Sequence, residues 1–213
     1  MKKEYTSQQQ LDDIRKLMER SSRFISLSGL SGISAGIIAL AGALFAFFYL
    51  NFDIRYFDTN RYFNDMLGKA IPEKIYVLMA DAALILILAL ASAIFFTTRK
   101  AKRKGLKVWT ASTRLMLYSL AIPLITGGLF CLILLYYNLI FLVAPATLIF
   151  YGLALLNASK YTLPEIQWIG ICETGLGIIA CILPGYGLIF WMVGFGVLHI
   201  VYGTVMYYRY ERS

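Results

Sequence analysis

Six long apolar runs, separated by short polar segments, dominate the hydrophobic pattern of the chain. A helix needs about 20 apolar residues to cross the hydrocarbon core of a bilayer, and each run is close to that length. The pattern therefore predicts an all-α, polytopic integral membrane protein. The predicted spans are 26–50, 75–97, 115–137, 139–158, 166–183 and 188–208.

The breaks between the runs predict how the spans are grouped. Tyr136-Tyr-Asn138 is a polar, interfacial interruption between the third and fourth runs. Pro184-Gly-Tyr-Gly187 is a tight-turn sequence between the last two. The sequence thus predicts one transmembrane domain at 26–208, built from three consecutive helical hairpins. Its main connections are an outer loop at 51–74 and a basic loop at 98–114, and a short tail follows at 209–213.

The segment before the first run, 1–25, is predicted to form a short amphipathic helix. Ser7 and Gln10 have capping-box spacing. An apolar stripe follows at helical spacing, formed by Leu11, Ile14, Leu17 and Met18. We expect this helix to lie on the inner surface of the membrane, and docking to a cytosolic partner is the alternative. The segment lacks the apolar core of a cleavable signal peptide.

The distribution of charge along the chain predicts how the spans are oriented across the membrane. The chain is 59% hydrophobic and 15% charged, with a net charge of +8. A basic protein suggests nucleic-acid binding, but here the cations lie between apolar runs, so we expect no nucleic-acid partner. Of the 20 Lys and Arg residues, all but Arg55, Arg61, Lys69 and Lys74 fall on one side of a six-span arrangement. The positive-inside rule predicts cytoplasmic termini and an external 51–74 loop.

The same distribution suggests where the protein acts and what it touches. We expect it to be integral to the membrane, the inner membrane if the source is bacterial, with the 98–114 loop close to anionic lipid headgroups. The other candidate partners are a second copy of the chain, forming a homo-oligomer, and another membrane protein. Three cysteines, Cys131, Cys172 and Cys181, lie within apolar runs, and the single His leaves no zinc-like spacing. No metal, cofactor or catalytic residue is predicted.

Small residues recur every third or fourth position in three of the spans. In lipid, helices associate through close packing at such residues. The first span carries them at Ser28, Gly29, Gly32 and Gly36, and the same frame surrounds Glu173 and His199. The predicted helix-packing residues are Ser28, Gly29, Gly32, Gly36, Gly170, Gly177, Gly196 and Gly203.

Three ionisable side chains inside the spans are the candidate functional residues. On a rise of about 1.5 Å per residue, Glu173 and His199 lie about 12 and 14 Å from the cytoplasmic ends of their helices. A four-residue turn joins those helices, so we predict a Glu173–His199 pair near the midplane. It is either a proton-handling group or a structural hydrogen bond. Asp81 lies nearer the outer side and is predicted to line a vestibule there or to reach headgroup water.

These features favour a small channel or proton-linked transporter, with two alternatives. One is a structural, accessory or lipid-interacting membrane protein without catalytic activity. The other is an intramembrane protease, because Gly29-Leu-Ser-Gly32 resembles the GxSG string of the rhomboid serine proteases, with His199 in the last span. That resemblance implies Ser31 as nucleophile and His199 as base. The serine stands in the first span here, whereas rhomboids carry it later in the chain.

The predicted orientation leads to a labelling experiment. In a variant whose native cysteines are replaced by Ala, Thr59→Cys is expected to react with a membrane-impermeant maleimide in intact cells. Ser112→Cys is expected to react only after permeabilisation, because the 98–114 loop faces the cytoplasm. Labelling of Ser112→Cys but not Thr59→Cys in intact cells would invert the topology.

Overall fold

Two stretches of the chain, residues 27–51 and 73–212, are described by the computed structural model. They form helices and turns, with no β-strand among these residues. The predicted amphipathic segment at 1–25 and most of the 51–74 loop lie outside them, so both stay predictions.

Six helices in the described part of the chain are long and apolar enough to cross a membrane, as the hydrophobic pattern predicts. Their bounds are α1 Gly29–Tyr49, α2 Glu73–Arg103, α3 Ala111–Tyr136, α4 Val143–Ala158, α5 Glu165–Ile182 and α6 Gly187–Tyr210. Short 3₁₀ turns at Ile140–Leu142 and Ser159–Tyr161 extend α4. A π-helical segment, Met192–Leu198, lies within α6.

The helix ends follow local chemistry. Gly105 adopts a left-handed conformation (φ 64°) after α2, and the Leu106 amide donates back to the Ala101 carbonyl, which is a Schellman ending. Asn138 (φ 57°) ends α3 in the same way and accounts for the break predicted there. At the start of α3, Thr110 and Thr113 bond reciprocally through side chain and backbone. α2 continues to Arg103, six residues beyond the predicted span end.

The large apolar side chains that face outward are typical of a surface in contact with lipid. Ile94 is 63% exposed and Ile182 is 72% exposed, whereas soluble proteins rarely leave extended apolar faces open to water. The buried positions on α1 are instead small: apart from Ser31 they are glycine and alanine.

Each helix has one main packing partner or two. α1 packs against both α2 and α6, and α4 packs against both α3 and α5. α5 packs more extensively against α4 than against α6, to which the 183–186 turn joins it. The grouping of the spans into three hairpins therefore stays a prediction.

The predicted small-residue positions lie at close helix crossings. A methyl group on Gly32 would lie 3.0 Å from the Gly203 Cα, and one on Gly36 would lie 2.6 Å from the Gly196 carbonyl oxygen. α1 and α6 therefore touch through their backbones. Gly170 and Gly177 approach α4 instead, at the Gly152 and Pro145 carbonyls.

Three further positions show how the neighbouring contacts are made. Gly29 closes the α1–α6 contact, because a methyl group there would lie 2.3 Å from the Tyr207 amide nitrogen. Ser28 is buried, and its hydroxyl donates to Glu211 Oε2 at 3.1 Å. Gly42 holds α2 close, since its missing side chain leaves room for Ile85.

Bulky substitutions at the crossing should separate the two helices. Gly36→Leu is expected to lower stability by about 1–3 kcal/mol, the usual cost of overpacking, because the obstructing atoms include backbone. Gly128→Leu is the matched control, since nothing lies within 4 Å of a methyl group there. Thermal unfolding of both variants in detergent makes the comparison. Equal melting temperatures would show that the α1–α6 contact does not limit stability.

Candidate functional site

A polar cluster of three side chains lies where α4, α5 and α6 meet. Tyr151 comes from α4, Glu173 from the middle of α5, and His199 from the end of the π-helical segment in α6. Glu173 is completely buried and His199 is 7% exposed. The structure thus brings the two predicted residues together and adds a tyrosine that sequence reasoning missed.

Two hydrogen bonds fix the imidazole ring of His199. Its Nδ1 lies 3.1 Å from the Gly194 carbonyl oxygen, and its Nε2 lies 2.8 Å from the Tyr151 hydroxyl. A carbonyl oxygen only accepts, so Nδ1 carries a proton and donates it. When the ring is neutral, Nε2 is then an acceptor, and the Tyr151 hydroxyl donates to it.

The Glu173 carboxyl lies beside this ring without a hydrogen bond to it. Its Oε1 is 3.4 Å from His199 Nδ1, close enough for electrostatic attraction. The Nδ1 proton, however, is directed to Gly194. Among the described residues, neither carboxyl oxygen has a hydrogen-bond partner. The contact is therefore electrostatic in character, and Glu173 is an uncompensated polar group in the interior.

Glycine at position 194 creates the space that the carboxyl fills. A methyl group on Gly194 would lie 2.5 Å from Glu173 Oε2 and 2.5 Å from Leu148 Cδ2. The wider π-helical turn around it spaces its hydrogen bonds at five residues and not four, and such turns are frequent at functional sites. Gly194 and its conformation have no signature in the sequence, because neither belongs to the recurring glycine frame.

Aromatic rings surround the cluster on the side of the 183–186 turn. The Phe195 ring lies 4.9 Å from the rings of both Tyr151 and Trp191, and 6.0 Å from the His199 ring. These rings cover that side of the imidazole, which is 7% exposed. Tyr151 itself could have been found from the sequence by asking which hydroxyl lies at the depth of the Glu–His pair.

A second polar group lies toward the other end of α5 and α6. Glu165 Oε1 lies 2.8 Å from Arg209 Nη1 and accepts a hydrogen bond of 2.8 Å from the Tyr210 hydroxyl. Tyr202 on α6 packs, like Tyr151, against the apolar cluster of Leu155, Ile166 and Ile169. Its buried hydroxyl has no partner among the described residues, and it is near enough to Glu165 and Tyr151 to interact electrostatically with both.

Asp81 lies apart from this cluster. It lines two apolar grooves beside α2, of about 200 and 530 Å³. The smaller groove also reaches Thr147 on α4 and Trp191 on α6, and Trp191 packs against Phe195 at the edge of the cluster. Asp81 makes no direct contact of its own with the Glu173 carboxyl or the His199 ring, whose neighbours in the described ranges are those given above.

The described residues do not favour a metal site or serine protease chemistry. Within 27–51 and 73–212, no group of three or more His, Cys, Asp or Glu side chains is placed to hold a metal ion. The Ser31 hydroxyl donates to the Ser28 carbonyl, while both His199 nitrogens are bonded to Gly194 and Tyr151. The described geometry therefore does not favour a Ser31–His199 dyad.

Comparisons with known proteins supply no further assignment. Neither a protein-family model, nor a curated protein, nor a solved structure matches the chain. A functional assignment therefore depends on the geometry of the polar cluster itself.

The hydrogen-bond pattern predicts which cluster residue supports the fold. Tyr151→Phe removes the partner of His199 Nε2 and is expected to cost about 1–3 kcal/mol of stability, as for a buried unsatisfied group. Glu173→Met replaces a carboxyl that makes no hydrogen bond with an unbranched apolar side chain of similar length, so stability should be unchanged or higher. Thermal unfolding in detergent tests both. A larger loss for Glu173→Met than for Tyr151→Phe would contradict the assignment.

Proposed function

We propose that the protein is a small proton-linked transporter in which Glu173 is the proton-carrying group. The observation that carries this proposal is the fully buried carboxyl whose two oxygens make no hydrogen bond within the described residues. Buried polar groups in proteins are nearly always satisfied, and the exceptions require an explanation. Intramembrane ionisable residues commonly serve ion and proton pathways.

The neighbours of Glu173 support a role in proton transfer. His199 Nδ1 lies 3.4 Å from the carboxyl, and its Nε2 meets the Tyr151 hydroxyl. Imidazole can accept and release protons near neutral pH. Tyr202 interacts electrostatically with both Tyr151 and Glu165. In the proposed mechanism this series of groups, with water entering during opening, connects Glu173 to one side of the membrane.

Asp81 and its grooves support the other side of the pathway. The larger groove, about 530 Å³, is lined almost entirely by apolar side chains, with Asp81 as the charged exception. A lining of this kind suits a small apolar or amphipathic substrate and disfavours a large hydrophilic one. Asp81 also lines the smaller groove, which Trp191 lines as well, and Trp191 packs against Phe195. Binding that extends from the larger groove into the smaller one would therefore influence the cluster.

The enclosed cluster favours a carrier over an open channel. Neither of the two grooves beside α2 is lined by Glu173 or His199, and the carboxyl is completely buried. A channel needs a continuous wet path, whereas a carrier passes through states in which its central site is closed to both sides. In this proposal the site opens at the π-helical segment, Met192–Leu198, which contains two glycines.

Orientation and grouping of the spans belong to the same proposal. We place both termini and the 98–114 loop in the cytoplasm, in agreement with the cation distribution. The Lys100–Glu211 contact, 3.4 Å from Nζ to Oε1, supports the same-side placement of that loop and the C-terminal tail. Three consecutive helical hairpins, with the recurring glycine frame in the first, fifth and sixth spans, complete the proposed architecture.

A structural or accessory role is the second candidate, and one observation favours it. His199 has a full set of hydrogen bonds, to Tyr151 on α4 and to Gly194 on its own helix. That bridge alone would join α4 to α6. It does not explain why a carboxyl is buried beside it, so we place this candidate second.

Proton movement in proteoliposomes tests the transporter. A pH gradient or a potassium diffusion potential is imposed on vesicles containing pyranine, with and without small amphipathic cationic, neutral and anionic compounds. We expect the wild type to move protons, and Glu173→Gln to reduce that movement to the protein-free background while keeping the melting temperature. Glu73→Gln, an exposed carboxyl at the start of α2, is the matched control and should retain wild-type rates.

The transporter would be contradicted by either of two results. One is a wild-type protein that moves no protons above background under any of these conditions. The other is a Glu173→Gln variant that moves them at the wild-type rate.

A further inference from the structure

A basic pocket lies at the end of the bundle where α1 begins and α2 ends. Its volume is about 180 Å³. Four cationic side chains converge on it, together with one carboxylate and two apolar side chains. The lining residues are Ser28, Leu30, Phe96, Arg99, Lys100, Arg103, Lys104 and Glu211.

Two of the four cations already have partners inside the protein. Lys100 Nζ lies 3.4 Å from Glu211 Oε1 and donates to the Leu27 carbonyl oxygen. Lys104 Nζ donates to the Tyr210 carbonyl oxygen at 3.0 Å, which satisfies one donor but leaves its charge uncompensated. Glu211 thus neutralises only one positive charge in the pocket.

Arg99 and Arg103 are the remaining two, and they have no hydrogen bond or ion pair with any described residue. They stand four residues apart, so their side chains project from the same face of α2. Both are exposed. Two adjacent guanidinium groups form a favourable arrangement for a phosphate, whose oxygens accept paired N–H bonds.

The depth of the pocket indicates the source of that phosphate. Arg99 is the first charged residue after Asp81 along α2, and the run between them is apolar except for Ser92, Thr97 and Thr98. The pocket therefore lies where the hydrocarbon region ends and headgroups begin. Leu30 and Phe96 line its edge on the apolar side, which is where the acyl chains of a lipid would pass.

We propose that this pocket binds the phosphate of an anionic phospholipid, with Arg99 and Arg103 as its ligands. The positive-inside rule depends only on how many cations lie on each side of the membrane. It therefore does not explain why the cationic side chains converge on one pocket. Lys102 and Lys107 illustrate the difference: both are exposed on the same segment, but neither lines the pocket. This site is independent of the proposed proton transport.

The test uses full-length protein in neutral detergent. Thermal unfolding is followed while dioctanoyl phosphatidylglycerol, dioctanoyl phosphatidylcholine or inorganic phosphate is added. Phosphatidylglycerol should raise the melting temperature of the wild type, and the effect should weaken as salt is added, because the contact is electrostatic. In Arg99→Gln/Arg103→Gln the apparent affinity should fall by about tenfold or more, as expected for losing charge-assisted hydrogen bonds.

The matched control is Lys102→Gln/Lys107→Gln, which removes the same charge from the same segment. It should retain the response to phosphatidylglycerol. Equal stabilisation by both lipids, or an equal loss of response in the two double variants, would overturn the proposal. If inorganic phosphate alone reproduces the shift, the site takes free phosphate and the lipid assignment is wrong. The salt dependence needs only the wild type, so the proposal can be tested even if the arginine variant folds poorly.

Discussion

The backbones of α1 and α6 touch along about two helical turns, since glycines on both helices remove the side chains that would hold them apart. Methyl groups on Gly29, Gly32 and Gly36 would all lie within about 3 Å of α6 atoms. In lipid there is little hydrophobic reason for helices to associate, so such close packing carries the association. α6 also holds Gly194 and His199, so the contact that fixes α6 also fixes half of the candidate site.

One carboxylate closes the same end of this pair. Glu211 follows directly after α6, accepts hydrogen bonds from the Gly29 amide (2.5 Å) and the Ser28 hydroxyl (3.1 Å), and lies 3.4 Å from Lys100 Nζ. It satisfies an amide that α1 leaves unpaired and opposes the positive end of the α1 dipole. A single side chain thereby joins the start of α1, the end of α2 and the end of α6, and its presence shapes the basic pocket beside it.

The sequence could predict the helices well because membrane spans are set by length and hydrophobicity alone. The end of α3 was also predictable, since Asn138 is a residue type that tolerates left-handed backbone, whereas α2 runs six residues past its predicted end and stops before Gly105. The helical rise places Glu173 and His199 at a similar depth, and the short turn between α5 and α6 predicts that these two helices are close neighbours. In the structure α5 packs mainly on α4. The pair still meets because Gly194 leaves room for the carboxyl.

Hydrogen bonding inside the cluster was not predictable from the same information. A residue pattern predicts which face of a helix a side chain lies on, but not to which atom it donates a hydrogen bond. Here the His199 Nδ1 proton is donated to the Gly194 carbonyl, which lies in the π-helical segment. Tyr151 lies on α4, a helix without any Asp, Glu, His, Lys or Arg, so a search restricted to charged residues passes over it.

The hydrogen bonds of the polar cluster distinguish His199, whose contacts stabilise the fold, from Glu173, which makes no hydrogen bond. The imidazole is satisfied by Tyr151 and Gly194, and these contacts would persist if position 173 were apolar. Taking a carboxyl out of water without a hydrogen bond is unfavourable in either protonation state, and more so when it is charged. We therefore expect Glu173 to lower the stability of the bundle that contains it. A buried carboxyl without a hydrogen bond, beside the His199 imidazole in the middle of α5, is the feature of the bundle that the proposed proton-carrying role would explain.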